Sequence, residues 1–77
     1  MKVIIYSTKW CQYCKIAKTF FDKHKIPYEE RNVAEDEHAR DEMEKKSHQL
    51  GVPVIEIGEH IFVGFNRSAI EEVLNIK

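Results

Sequence analysis

The sequence predicts an α/β domain in which a four-stranded mixed sheet is flanked by three helices, in the order β-α-β-α-β-β-α. Three observations lead there. Two short apolar runs, Val3-Ile4-Ile5-Tyr6 and Val54-Ile55-Glu56-Ile57, are rich in β-branched residues, as suits strands of a buried sheet. After the first run, Cys14, Ala17, Phe20, Phe21 and His24 recur at three- and four-residue steps, the apolar stripe of an amphipathic helix. Gly58-Glu59 then separates two strand-like runs by two residues with glycine leading, the mark of a type II′ hairpin.

Each element follows in order. The first strand runs into a short loop, Ser7-Thr8-Lys9-Trp10, and the helical pattern begins at Cys11. Lys15, Lys18 and Lys23 take the outer side, and Lys23 and Lys25 suit a last turn whose negative end attracts cations. Ile26-Pro27 is expected to end this helix, because proline disfavours the α conformation in the residue before it. Tyr28, Glu30 and Asn32 alternate with Glu29, Arg31 and Val33 in a second strand. Asp36 caps a second helix with Glu37 in its first turn. Ala39, Met43 and Lys46 are expected to face inward there, and Glu42 and Glu44 outward. Gln49-Leu50-Gly51 turns the chain, and Val52-Pro53 opens the third strand. His60-Ile61-Phe62-Val63 returns as the fourth. Asn66 caps a last helix with Ile70, Val73 and Leu74 on its apolar face. A helical crossover makes the first two strands parallel; the tight hairpin makes the last two antiparallel.

At 77 residues the chain makes one domain, 1–77, near the lower limit for a core without staples. No repeat or low-complexity stretch divides it. The longest N-terminal apolar run is far shorter than a signal-peptide core or a membrane span requires. The chain is therefore expected to be cytoplasmic, with no membrane partner, and monomeric. A net charge of −1 lacks the basic surface that nucleic acid demands. The charge is uneven, though: Lys2, Lys9, Lys15, Lys18, Lys23 and Lys25 precede most of the acids. These lysines read as a solvated helix face, and Lys9 and Lys15 also as a positive field around Cys11.

Cys11 and Cys14 are the only cysteines. In a reducing compartment a single Cys-x-x-Cys beside a βαβ pattern signals redox or metal chemistry. Cys11 falls at the helix start, where unpaired backbone N–H groups and the helix dipole favour a thiolate. Cys14, nearly one turn on, belongs to the buried stripe. Cys11 is thus assigned as the attacking sulfur and Cys14 as the resolving one, with Trp10 shielding one side and guiding a partner. Zinc or an iron–sulfur cluster would need further ligands, and His24, His38, His48 and His60 are scattered without metal spacing; no metal is expected. No Gly-rich phosphate loop implies a bound organic cofactor. Val52-Pro53 opens an apolar strand, so it is a candidate cis peptide, with an ordinary trans proline equally open from composition.

The run Tyr6-Ser-Thr-Lys-Trp-Cys-Gln-Tyr-Cys-Lys-Ile-Ala-Lys resembles the active-site segment of glutaredoxins. Gly51-Val-Pro-Val-Ile-Glu-Ile resembles their Thr-Val-Pro segment, and Val63-Gly-Phe-Asn66 their Gly-Gly-Cys-Asp turn. The likeness spans the chain and comes nearest to short glutaredoxin-like and NrdH-type redoxins. It implies a thioredoxin fold, with Pro53 cis and facing Cys11. It implies a thiol–disulfide oxidoreductase acting on protein or small-molecule disulfides. Its reductant would be either glutathione or a flavoprotein of the thioredoxin-reductase type. Carried over, Cys11 is the nucleophile and Cys14 the resolver; Lys9, Trp10, Tyr13, Val52, Pro53, Asn66 and Arg67 are the substrate- or glutathione-binding set. Gln12 stands where glutaredoxins commonly have proline, Gly51 where they have a threonine approach. Asn66-Arg67 stands where they carry an acidic pair that holds the γ-glutamyl end of glutathione. Arg67 reverses that charge and would repel the ligand's ammonium.

Overall fold

A computed structural model describes residues 2–76. Its elements follow the expected order: β1 (Val3–Ser7), α1 (Gln12–Lys23), β2 (Glu29–Asn32), α2 (Glu37–Ser47), β3 (Val54–Ile57), β4 (His60–Val63) and α3 (Arg67–Leu74). The strands form one sheet in the order β2-β1-β3-β4. β1 and β2 are parallel, whereas β3 is antiparallel to both β1 and β4. This is a thioredoxin-like fold, and no helix among the described residues is long and apolar enough to cross a membrane.

Side-chain alternation sorts the sheet into two faces. Val3, Ile5, Ile55 and Ile57 pack on one face with Ala17, Phe20 and Phe21 of α1 and Ile70 of α3. Ile4, Tyr6 and Val54 pack on the other with Ala39 and Met43 of α2. The register explains both layers, since Ile5 pairs with Ile55 and Tyr6 with Val54. β2 is a polar edge strand that obeys the same alternation. Glu30, paired with Ile5, meets α1 through Lys18; Arg31, paired with Tyr6, meets α2 through Glu42.

Two expectations are corrected. α1 ends at Lys23, before Ile26-Pro27. Lys25 adopts φ +57°, its N–H donates to the Asp22 carbonyl at 3.1 Å, and the Ile26 N–H reaches the Phe21 carbonyl at 2.9 Å. That is a Schellman closure, and it satisfies the last carbonyls locally. Pro27 merely follows it. Glu42, expected outward, stays partly exposed yet reaches the sheet, accepting a 2.8 Å hydrogen bond from the hydroxyl of the buried Tyr6 and pairing with Arg31. Lys46, expected inward, reaches Glu56 of β3 at 2.7 Å. Gly58 has φ +59° and Glu59 does not share its sign, as a type II′ turn requires.

Candidate redox site

Three chain segments meet at one end of the sheet, and the register dictates it. Tyr6 lies opposite Val54, so the exit of β1 toward Cys11 runs beside the entry of β3 at Val52-Pro53. Val54 also lies opposite Val63, which brings the exit of β4, Gly64 to Arg67, to the same end. The Gly64 N–H donates to the Pro53 carbonyl at 2.8 Å and ties the last two together. Gly64 has φ +85°, a conformation an L side chain rarely adopts. Val52-Pro53 is a cis peptide.

Cys11 is the N-cap of α1, extended at φ −84° and ψ 110°, and its Sγ accepts the Cys14 backbone N–H at 3.0 Å. The sulfur thus occupies the position of a capping oxygen and meets a donor that the helix leaves unpaired. No acidic residue stands in the first turn to oppose an anion there. The two cysteines are joined as a disulfide with Cα atoms 5.2 Å apart. Cys11 is half-buried, whereas Cys14 is wholly buried against the core. An incoming sulfur therefore meets Cys11.

The remaining candidates divide. Tyr13 and Trp10 are exposed beside Cys11, at 65% and 73%. The shielding expected of Trp10 is not seen, because so open a ring covers little of its own protein; it stays available to a partner, with the Lys9 ammonium 5.7 Å from its centre. Val52 is half-buried and Pro53 buried. The Asn66 side chain is committed to capping, its Oδ1 accepting the Ala69 N–H at 3.3 Å. Arg67 is held along the surface, 3.2 Å from the Glu71 carboxylate and with its guanidinium 5.6 Å from the Phe20 ring centre. Among the described residues no three His, Cys, Asp or Glu side chains gather where they could hold a metal ion.

Two supporting residues escaped the sequence reading. Gln49 brackets Gly51: its Oε1 accepts the Gly51 N–H at 2.6 Å and its Nε2 donates to the Gly51 carbonyl at 3.1 Å. A side chain on Gly51 would place its Cβ 2.7 Å from that same Oε1. The approach to Val52-Pro53 is thereby locked. A side-chain amide two residues before a glycine was the available signal. Ser7, buried at the end of β1, donates to Glu30 at 2.7 Å, and Lys18 pairs with the same carboxylate at 2.8 Å. Those bonds hold the Glu30 carboxyl below its ordinary range and fasten α1 to the sheet just behind the cysteines.

The glutaredoxin family model matches residues 3–62. A glutaredoxin-like 8.6 kDa protein from a rubredoxin operon of Clostridium pasteurianum is 43% identical over 70 residues, covering 91% of this chain and 93% of that one. Among solved structures, a variant of a thioredoxin-like protein superposes with a TM-score of 0.92 at 28% identity, over 99% of this chain and 97% of its own. NrdH-redoxin from Escherichia coli superposes with a TM-score of 0.84 over 95% of each chain. Its 22% identity makes it a likeness of fold.

Proposed function

The chain belongs to the glutaredoxin family of thiol–disulfide oxidoreductases, and from that premise we propose that it is a dithiol electron donor for protein disulfides. In the first step the Cys11 thiolate attacks one sulfur of the substrate disulfide. A Cys11–substrate bond forms, the substrate S–S bond breaks, and the departing thiolate takes a proton from water. Cys14 then gives up its proton and attacks the Cys11 sulfur. The Cys11–Cys14 bond forms, the second substrate thiol leaves, and two electrons have passed to the substrate. The carrying observation is the asymmetry of the pair: Cys11 capped by a backbone N–H at 3.0 Å, Cys14 wholly buried.

The oxidised pair must be recharged, and a thioredoxin-reductase-type flavoprotein is the reductant proposed. Arg67 supports this, standing at the start of α3 where an acidic residue would welcome the ammonium of glutathione. Two lone cysteines also fit a reducing compartment, and the cytoplasm is the proposed location. The test supplies NADPH with either thioredoxin reductase or glutathione plus glutathione reductase, and follows turnover of an insulin-type disulfide. Turnover through the flavoprotein is expected. Efficient turnover through glutathione alone would replace this reading with that of a glutathione-dependent glutaredoxin acting on mixed disulfides.

A further inference from the structure

Between α2 and β3 the chain is held by one side-chain amide. Gln49 Oε1 accepts the Gly51 N–H at 2.6 Å, and its Nε2 donates to the Gly51 carbonyl at 3.1 Å and to Ser47 Oγ at 3.2 Å. Ser47 in turn donates to the carbonyl of Met43, a fully buried residue of α2, at 2.7 Å. A path of hydrogen bonds therefore runs from the core side of α2 to both polar groups of the Gly51 backbone. Pro53 is engaged as well, since its carbonyl accepts the Gly64 N–H at 2.8 Å and a proline has no N–H to offer. Val52, between them, is different. Among the described residues, neither its N–H nor its carbonyl has a hydrogen-bond partner, although its side chain packs against the core. Backbone polar groups call for partners, and these two stand at the end of the sheet to which β1 delivers Cys11.

We propose that Gln49 is a positioning residue for peptide substrates: by fixing Gly51 it holds the Val52 main chain ready to pair with extended polypeptide beside the scissile disulfide. The proposal rests on the disulfide-reductase reading. It adds a preference for peptide over small-molecule disulfides, and it names the residue that sets that preference. Such pairing adds a short strand through main-chain hydrogen bonds. It gains from a segment already in its bound shape, because ordering that segment on contact would weaken binding. Gly51, lacking a side chain, would otherwise be the loosest link. Its glycine is required by the same contact, since a Cβ there would lie 2.7 Å from Gln49 Oε1. The covalent steps are those already written, and Gln49 takes part in none of them.

The experiment follows single-turnover oxidation of the reduced protein, so that no reductase enters. Rate constants are compared for a cystine peptide, the same peptide N-methylated at the residues flanking its half-cystines, and bis(2-hydroxyethyl) disulfide. Each is divided by its rate with 2-mercaptoethanol to remove intrinsic reactivity. In the native protein N-methylation should lower the peptide's rate about fivefold, the size of one net backbone hydrogen bond. Gln49→Ala should lower the peptide-to-small ratio by a similar factor and abolish the effect of N-methylation. Gln49→Glu keeps the acceptor for the Gly51 N–H and loses the donor, so it should fall between. Gly51→Ala displaces the same amide from the other side. It should match Gln49→Ala, and the double variant should be no worse than either. These two routes to one loss keep the test decisive where one variant folds poorly. Asp36→Ala, which weakens the start of α2 instead, should leave the ratio unaltered. An N-methylated peptide reduced as fast as its parent, a ratio unmoved by Gln49→Ala, or additive losses in the double variant would overturn the proposal while leaving the reductase reading intact. Failure to reduce bis(2-hydroxyethyl) disulfide at all would count against the reductase reading itself.

Discussion

Residue by residue, the chemistry turns on the unequal settings of two sulfurs. Cys11→Ser is expected to abolish disulfide reduction. Cys14→Ser should accumulate a mixed disulfide on Cys11, identified by peptide mass mapping; adduct on the serine variant of Cys11 instead would reverse the assignment. Arg67→Asp is expected to raise glutathione-coupled turnover severalfold, since it replaces a cation with a partner for the ligand's ammonium, and unchanged turnover would show that this charge is not limiting. Both cysteines were legible because a Cys-x-x-Cys spacing at a strand-to-helix junction has few other uses. The parts of Ser7 and Gly64 were not. Each acts through a hydrogen bond formed between segments, Ser7 to Glu30 and the Gly64 N–H to the Pro53 carbonyl, and local sequence carries no record of which acceptor will lie opposite.

At the level of elements, caps decide where helices begin and end. Asp36 accepts the Ala39 N–H at 3.2 Å, so Asp36→Ala should lower unfolding free energy by about 1 kcal/mol, read from urea titration, without altering turnover. Lys25 holds φ +57° without the freedom of glycine. Lys25→Gly should therefore stabilise the protein by roughly 1 kcal/mol; a loss would mean that its side chain contributes more than the strain costs. These two helix ends also show what could be read in advance. The Asp36 cap was visible because a side chain and its target lie three residues apart. The Lys25 closure was not, since nothing about lysine announces a left-handed turn and the nearby proline offered a simpler stop. Glu42 was misplaced for a related reason. An acid on a helix is ordinarily solvated, and only the folded sheet brings a buried tyrosine hydroxyl to meet it.

The whole molecule combines a two-sided core with a charged edge. Phe21 is fully buried between α1 and the sheet, in edge contact with Phe20 at 5.4 Å. Phe21→Ala is expected to cost about 3–5 kcal/mol, a large share of what a domain this small has to lose. Stability should also fall in acid. Glu42 is held below its usual value of 4.5 first by the Tyr6 hydroxyl and then by Arg31, and Glu30 first by Lys18 and then by Ser7. A carboxyl depressed in the folded state contributes fully above its unfolded pKa, and the contribution fades as pH falls through the folded one. Melting temperature should thus hold steady at neutral pH and drop below about pH 4.5. The Glu30→Gln, Glu42→Gln double variant should start lower and show a shallower decline.

The far end of the sheet has had no part in the chemistry. There the hairpin turn carries Gly58, whose N–H donates to the Lys2 carbonyl at 3.0 Å, so the beginning of β1 and the Gly58-Glu59 tip are neighbours, and both point away from the disulfide. A fusion partner joined ahead of Lys2, or a surface anchor grafted into that tip, would leave the cysteines facing outward. The molecule could be mounted on an electrode by its inert pole, with its electron-carrying pole presented to solution.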